Sequence, residues 1–176
     1  MNDILSAMKK RSSTRGYTAE KLTEAELESL LRAGLEAPTA ANRQEIHISV
    51  VDGSHPILVE LEAEKNAQMN IQTPPANFYY SAPLVLILSG DKDFPWSDLD
   101  AGIMVENIAL AAEGLGLGSV ILGVIKGAMS GVKTDYFAKA LKIPENYEFK
   151  VAISIGHKAV EKEPHEYDME KNISYV

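Results

Sequence analysis

The segment DLDAGIMVENIALAAEGL, residues 98–115, constrains the fold more than any other stretch. It carries few charges anywhere, and Ile103, Asn107, Ala111 and Gly114 fall on one stripe at helical spacing, which predicts a buried helix. A helix that apolar must be covered by other elements, so it is expected to form the spine of a domain. The flanking sequence supplies suitable cover. APLVLILSG (82–90) is a continuous apolar run, as expected of a central strand covered on both faces. IHISVV (46–51), SVILGVI (119–125) and KVAISIG (150–156) read as three further strands, the last with Val151, Ile153 and Ile155 alternating.

Helical patterns stand between these strands. In LTEAELESLLRAGLEAP (22–38), Thr23 and Glu26 have capping-box spacing, Leu22 and Leu27 form a hydrophobic staple, and Pro38 ends the run. SHPILVELEAEKNAQ (54–68) starts with proline in its first turn, and VKTDYFAKALKI (132–143) is a further helix. The alternation predicts one mixed α and β domain over residues 1–176, a length that can bury most of its unfolded-chain surface. The polar tail 157–176 lacks a core of its own. Its final ISYV has strand character but no hairpin partner beside it, so the tail is expected to pack along something else, such as a second subunit.

Composition removes several kinds of chemistry. Without cysteine there is no thiol nucleophile, thiolate metal site or disulfide framework, which fits a reducing cytoplasm. A net charge of −8 argues against nucleic acid or anionic membranes as partners, so any anion site must be a local cluster of donors. The glycines of GLGLG (114–118) close a helix and lead into a strand, the reverse of a dinucleotide fingerprint. His47, His55, His157 and His165 lack metal-ligand spacing, no GxSxG is present, and so no metal site or hydrolytic nucleophile is expected.

Two stretches carry candidate chemistry. KKRSSTRGY (9–17) places Arg11 and Arg15 four residues apart around Ser12, Ser13 and Thr14, within reach of one phosphate or polyol. The same residues could equally form a solvated basic loop at a helix end, where cations complement the helix dipole. APTAANRQ (37–44) combines a proline-fixed turn, small residues that admit a flat ligand, and the amides of Asn42 and Gln44; it could also be an ordinary connecting loop.

In chain order, KRSSTRGY, APTAANRQ, APLVLILSG, DLDAGIMVENIALAAEGLGLGSVILG and ISIGHK resemble the nitroreductase family of FMN-dependent oxidoreductases over nearly the whole chain. The most specific parts are the N-terminal RSSTRGY and the D-x-G at the start of the long apolar helix. The resemblance implies an α+β fold with a central mixed β-sheet flanked by helices. It also implies an intertwined homodimer with exchanged C-terminal tails and FMN at the subunit interface. Arg11, Ser12, Ser13 and Arg15 match the family's N-terminal flavin contacts, with Arg11 toward the phosphate and Arg15 toward the ribityl chain or pyrimidine edge. Pro38, Thr39, Ala40 and Asn42 match the loop that covers the flavin from the other subunit. Gly123 falls where backbone approaches the ring, Lys158 near the phosphate, and Asn70 at a ring-edge amide position. Lys9 and Lys10 are expected to stay in solvent.

The chain departs from the family's pattern in two places. Glu45-Ile46 stands where many relatives have Pro-Trp, and the tail offers His165, Tyr167 and Asp168 where many have a phosphate-binding arginine. The implied activity is transfer of electrons from NAD(P)H, in ping-pong order, to nitroaromatic, quinone or similar small acceptors, with no side-chain acid required in the first half-reaction. The alternative is a flavin storage or sensing protein without turnover.

Overall fold

A computed structural model describes residues 3–176. Four strands form one sheet in the order β1-β2-β4-β3: β1 (His47–Asp52), β2 (Leu84–Asp91), β3 (Leu117–Leu122) and β4 (Tyr147–His157). Every neighbouring pair is antiparallel, so the sheet is not the mixed one expected; among the described residues parallel pairing is confined to an isolated bridge between Ser13 and Ser119. The reason lies in the connections. α3 (Pro56–Gln68) carries the chain away from the end of β1 by about 20 Å. The irregular stretch 69–83 brings it back, so that Leu84 pairs with Asp52. Alternation of helices and strands does not distinguish such a return from a parallel crossover.

The central helix α4 (Ser97–Gly114) lies over the sheet and buries Ala101, Met104, Val105, Ile108, Ala109 and Ala112. The buried stripe is rotated by about one residue from the expected one: Asn107 and Ala111 sit at its margin and Gly114 is exposed. Few charges stand anywhere on α4 and its adjacent stripes are both largely apolar, so helical spacing alone does not select between them. α4 ends as its glycines predict, with Gly116 at φ +78, a left-handed conformation that glycine adopts without strain. α2 (Glu24–Leu35) packs beside α4 and has the expected capping box: Glu26 N–H donates to the Thr23 hydroxyl at 3.2 Å, and Thr23 N–H to Glu26 Oε2 at 2.7 Å.

The other face of the sheet carries α3, the short α5 (Lys126–Ser130) and α6 (Thr134–Ala140), over a core that includes Leu58, Leu61, Ile125 and Phe137. α1 (Asp3–Lys10) packs on α4, and α7 (Met169–Asn172) interrupts an otherwise irregular tail. ISYV forms no strand, and every residue from 159 to 176 is exposed. No helix among the described residues is long and apolar enough to cross a membrane.

Candidate functional site

Residues 11–18 run across the ends of β3 and β4. Thr14 N–H donates to the Ser119 carbonyl at 2.8 Å, and Thr18 N–H to that of His157 at 3.0 Å. Ala159 N–H closes the far side on Gly16 O at 3.0 Å, next to the bridge between Tyr17 and Lys158. Two glycines permit this close crossing. Gly118 and Gly156 are direct partners across β3 and β4, so both missing side chains open the same face of the sheet. A Cβ at Gly118 would stand 2.7 Å from Thr14 Oγ1 and 2.8 Å from Lys158 Cγ; one at Gly156 would stand 2.6 Å from Pro83 Cδ and 3.0 Å from the Tyr17 ring. Tyr17 is held there by its hydroxyl, which donates to Thr14 O at 2.8 Å, and burial pushes its pKa up, so it remains a neutral donor.

This crossing gathers the cations. Arg11 follows α1 and places its guanidinium 3.5 Å from Glu106 on α4. Lys158 Nζ sits against both carboxylate oxygens of Glu113, at 2.9 and 3.1 Å, with both side chains largely buried. Ser12 and Ser13 are half-buried between them along the chain, and Arg15 is exposed. Lys10 and Lys162 join Lys158, Glu113 and Glu161 around a polar cleft of about 300 Å³. Lys10 is exposed, as expected, while nothing in the polar tail singles out Lys162.

A second cleft, about 320 Å³, opens beside the first group, between the 71–80 stretch and the end of β3. Arg15, Lys65, Phe78, Tyr80 and Gly123 line it, and a Cβ at Gly123 would meet nothing within 4 Å. Asn70, at φ +54 just past α3, is exposed and does not line this cleft, although its neighbour Ile71 does.

The 37–44 loop lies elsewhere. Ala40 N–H donates to both carboxylate oxygens of Asp100, at 3.0 Å each, and Gln44 N–H donates to Thr39 Oγ1 at 2.9 Å. Ala41, Asn42 and Gln44 all have φ between 52 and 54, so the loop is tightly folded on itself, with Pro38 and Asn42 exposed. Asp100 is the acid of the D-x-G, 1 % exposed in the first turn of α4, where the helix dipole favours a negative charge. No role for it was evident in the sequence, because its partner is a backbone amide 60 residues away. Asp100 and Glu113 are separated by about 20 Å along α4. Lys158 thus sits at the Glu113 end of the helix and Arg11 beside Glu106 in its middle, Arg15 and Gly123 share the second cleft, and the 37–44 loop is tied through Ala40 to Asp100 at the other end.

Comparison with known proteins gives a consistent picture. Residues 8–157 match the Nitroreductase family. A protein of Archaeoglobus fulgidus named NADH dehydrogenase/NAD(P)H nitroreductase is 31% identical over 96% of this chain and 92% of its own. A Bacillus subtilis protein named FMN reductase [NAD(P)H] is 24% identical over 90% of this chain and 67% of its own. Among solved structures, a nitroreductase with bound FMN from Desulfitobacterium hafniense superposes with a TM-score of 0.90 at 29% identity, covering 100% of this chain and 99% of that one. Another with bound FMN, from Bacteroides fragilis, reaches 0.88 at 25% identity with full coverage of both chains.

Proposed function

The chain belongs to the nitroreductase family, and from that membership we propose that it is an FMN-dependent oxidoreductase that takes electrons from NAD(P)H and passes them to small electron-poor acceptors such as nitroaromatics and quinones. The observation that carries this reading is the N-terminal crossing, which packs Thr14 and Lys158 against Gly118 and Tyr17 against Gly156 and leaves Arg15 lining an open cleft with Gly123. FMN fits that set. Its phosphate needs the cations and hydroxyls that the N-terminal crossing presents, and its flat ring needs backbone left bare by side chains, as at Gly123. When bound, FMN supplies the hydride and electron chemistry, so the protein's part is to bind, orient and stabilise charge. Arg11, Ser12, Ser13 and Lys158 hold the anionic end; Arg15 supplies positive charge toward the ring. NAD(P)H and the acceptor occupy the same cleft in turn, which gives ping-pong order.

The second half of the site comes from a second copy of the chain. Pro38, Thr39, Ala40 and Asn42 belong to the loop tied to Asp100, about 20 Å along α4 from the Lys158–Glu113 pair, too far to cover the same ring within one subunit. Dimerisation is further supported by exposed Leu5, Met8 and Leu99 on α1 and α4, by the outer edge of β1, which lacks a strand neighbour among the described residues, and by the fully exposed tail. An isolated apolar face and a bare sheet edge both favour association. We assign Asn70 to the ring edge of the assembled site on the same footing.

The test is direct. Purified protein supplied with FMN should shift and sharpen the flavin absorption, bleach on addition of NADH or NADPH, and recover its colour with a quinone or nitroaromatic. Binding with bleaching by neither nucleotide would reduce the protein to a flavin carrier, and no binding would end the proposal.

A further inference from the structure

Tyr80 and Ser81 are consecutive non-glycine residues in the left-handed region, at φ +54 and +55, a backbone state that persists only where its surroundings impose it. Two ties impose it here. Asn77 clasps Ser81 from both sides: Ser81 N–H donates to Asn77 Oδ1 at 2.9 Å, and Asn77 Nδ2 donates to the Ser81 hydroxyl at 3.0 Å. One residue further along, Phe78 N–H donates to Glu62 Oε2 on α3 at 2.7 Å. Glu62 is itself fixed by Lys65 Nζ and Asn66 Nδ2, each 3.0 Å from its other oxygen. Lys65 is nearly buried, so this is an anchored charge pair rather than a surface contact.

The anchored turn presents the Tyr80 ring to Arg15, whose guanidinium carbon lies 5.8 Å from the ring centroid, within the range of a cation–π contact. Among the described residues Arg15 makes one other close polar contact, 3.5 Å from the Ser13 carbonyl, and its side chain is exposed. A long, exposed arginine loses much rotamer freedom when a ligand fixes it. We propose that Tyr80 is a positioning residue for Arg15: its ring holds the guanidinium at the mouth of the cleft before the flavin arrives, so that less ordering remains for binding to complete. The role rests on the flavin reading above. It does not require Tyr80 to touch the cofactor: the half-buried ring packs one side against the core and leaves the other to Arg15.

A double-mutant cycle on flavin-stripped protein tests it, with FMN affinity read by fluorescence quenching. Tyr80→Leu should weaken FMN about two- to fivefold, the factor expected for one exposed cation–π contact, and Tyr80→Phe should bind like wild type. In an Arg15→Ala background Tyr80→Leu should have no further effect. Equal weakening in both backgrounds would overturn the proposal, because the ring would then act on the fold and not on Arg15. A second readout needs no flavin: the Arg15 Nε–H resonance should show a ring-current shift that Tyr80→Leu abolishes. A wild-type protein that shows the shift yet binds no FMN would instead sink the flavin reading, and the positioning role with it. A shift without any change in FMN affinity would remove the positioning role alone.

Discussion

The Ala40 amide and the Asp100 carboxylate meet 60 residues apart in sequence, with both oxygens 3.0 Å from one N–H, and this contact ties the 37–44 loop to the first turn of α4. Asp100→Asn keeps the volume but removes the charge and turns one acceptor into a donor. It should cost about 1–3 kcal/mol in urea unfolding, as expected when a buried polar group loses its match. Faster hydrogen exchange at Ala40, with unchanged exchange in β2 and β4, would locate the loss in the loop.

Gly118 and Gly123 separate packing from ligand space. Gly118→Ala drives a methyl group against Thr14 and Lys158, so it should lower stability by about 1–3 kcal/mol and reduce bound flavin. Gly123→Ala meets nothing within 4 Å and should change stability by no more than about 0.5 kcal/mol. If Gly123 lies against the flavin, this second variant should still lose FMN affinity. Thermal melts beside flavin titrations distinguish the two.

Lys158 and Glu113 should be destabilising singly and tolerable together. Lys158→Met leaves the largely buried Glu113 carboxylate without its cation and should cost up to about 3 kcal/mol. Adding Glu113→Leu should recover most of that stability, since an apolar pair can replace a buried ion pair. FMN affinity should stay low in the double variant, because the cation is still missing.

Acid stability should report on Asp52. Hydrogen bonds from Lys21 and Ser54 hold its carboxyl well below the ordinary value of 3.8. A depressed folded-state pKa means that the unfolded chain takes up the proton first. The contribution is therefore complete above about pH 4 and disappears as pH falls toward the folded value. Asp52→Asn should flatten this part of the pH–stability curve, with its full, constant loss in the neutral region and a loss that shrinks as pH falls below about 4.

The tail offers a test of association. Ending the chain after Val160 removes only exposed residues and retains the Ala159–Gly16 bond, so the core should keep its secondary structure. Sedimentation should show the sedimenting species shifting toward monomer, with flavin retention falling in parallel. An unchanged dimer would place the interface outside the tail, on the exposed α1 and α4 side chains or the β1 edge.

Local signals in the sequence reached most of the elements but not their arrangement. Thr23–Glu26, Pro56 and Gly116 act over one helical turn, and each sits where spacing placed it. α5 left no usable signal, because KGAMS is five residues long, too short for periodicity to register. Sheet direction depended on how far 69–83 travels, which composition does not encode. Family resemblance led to Arg11, Arg15 and Lys158, but their acidic neighbours Glu106 and Glu113 are apparent only once α4 is laid beside the N-terminal crossing. Glu62 and Asn77 were invisible for the same reason: their partners are defined by a turn whose strain no residue type announces.

The length of α4 has a genetic consequence. In the proposed dimer each site takes its cradle from one subunit and its covering loop from the other, so damage at the two ends of α4 belongs to different halves. A chain carrying Lys158→Met and a chain carrying Asp100→Asn would each form homodimers with two impaired sites. Mixed, they form heterodimers in which one site collects both lesions and the other is intact. Co-expression of two defective alleles should then restore about a quarter of the wild-type sites, assuming random pairing. A protein whose site lay within one subunit would restore none.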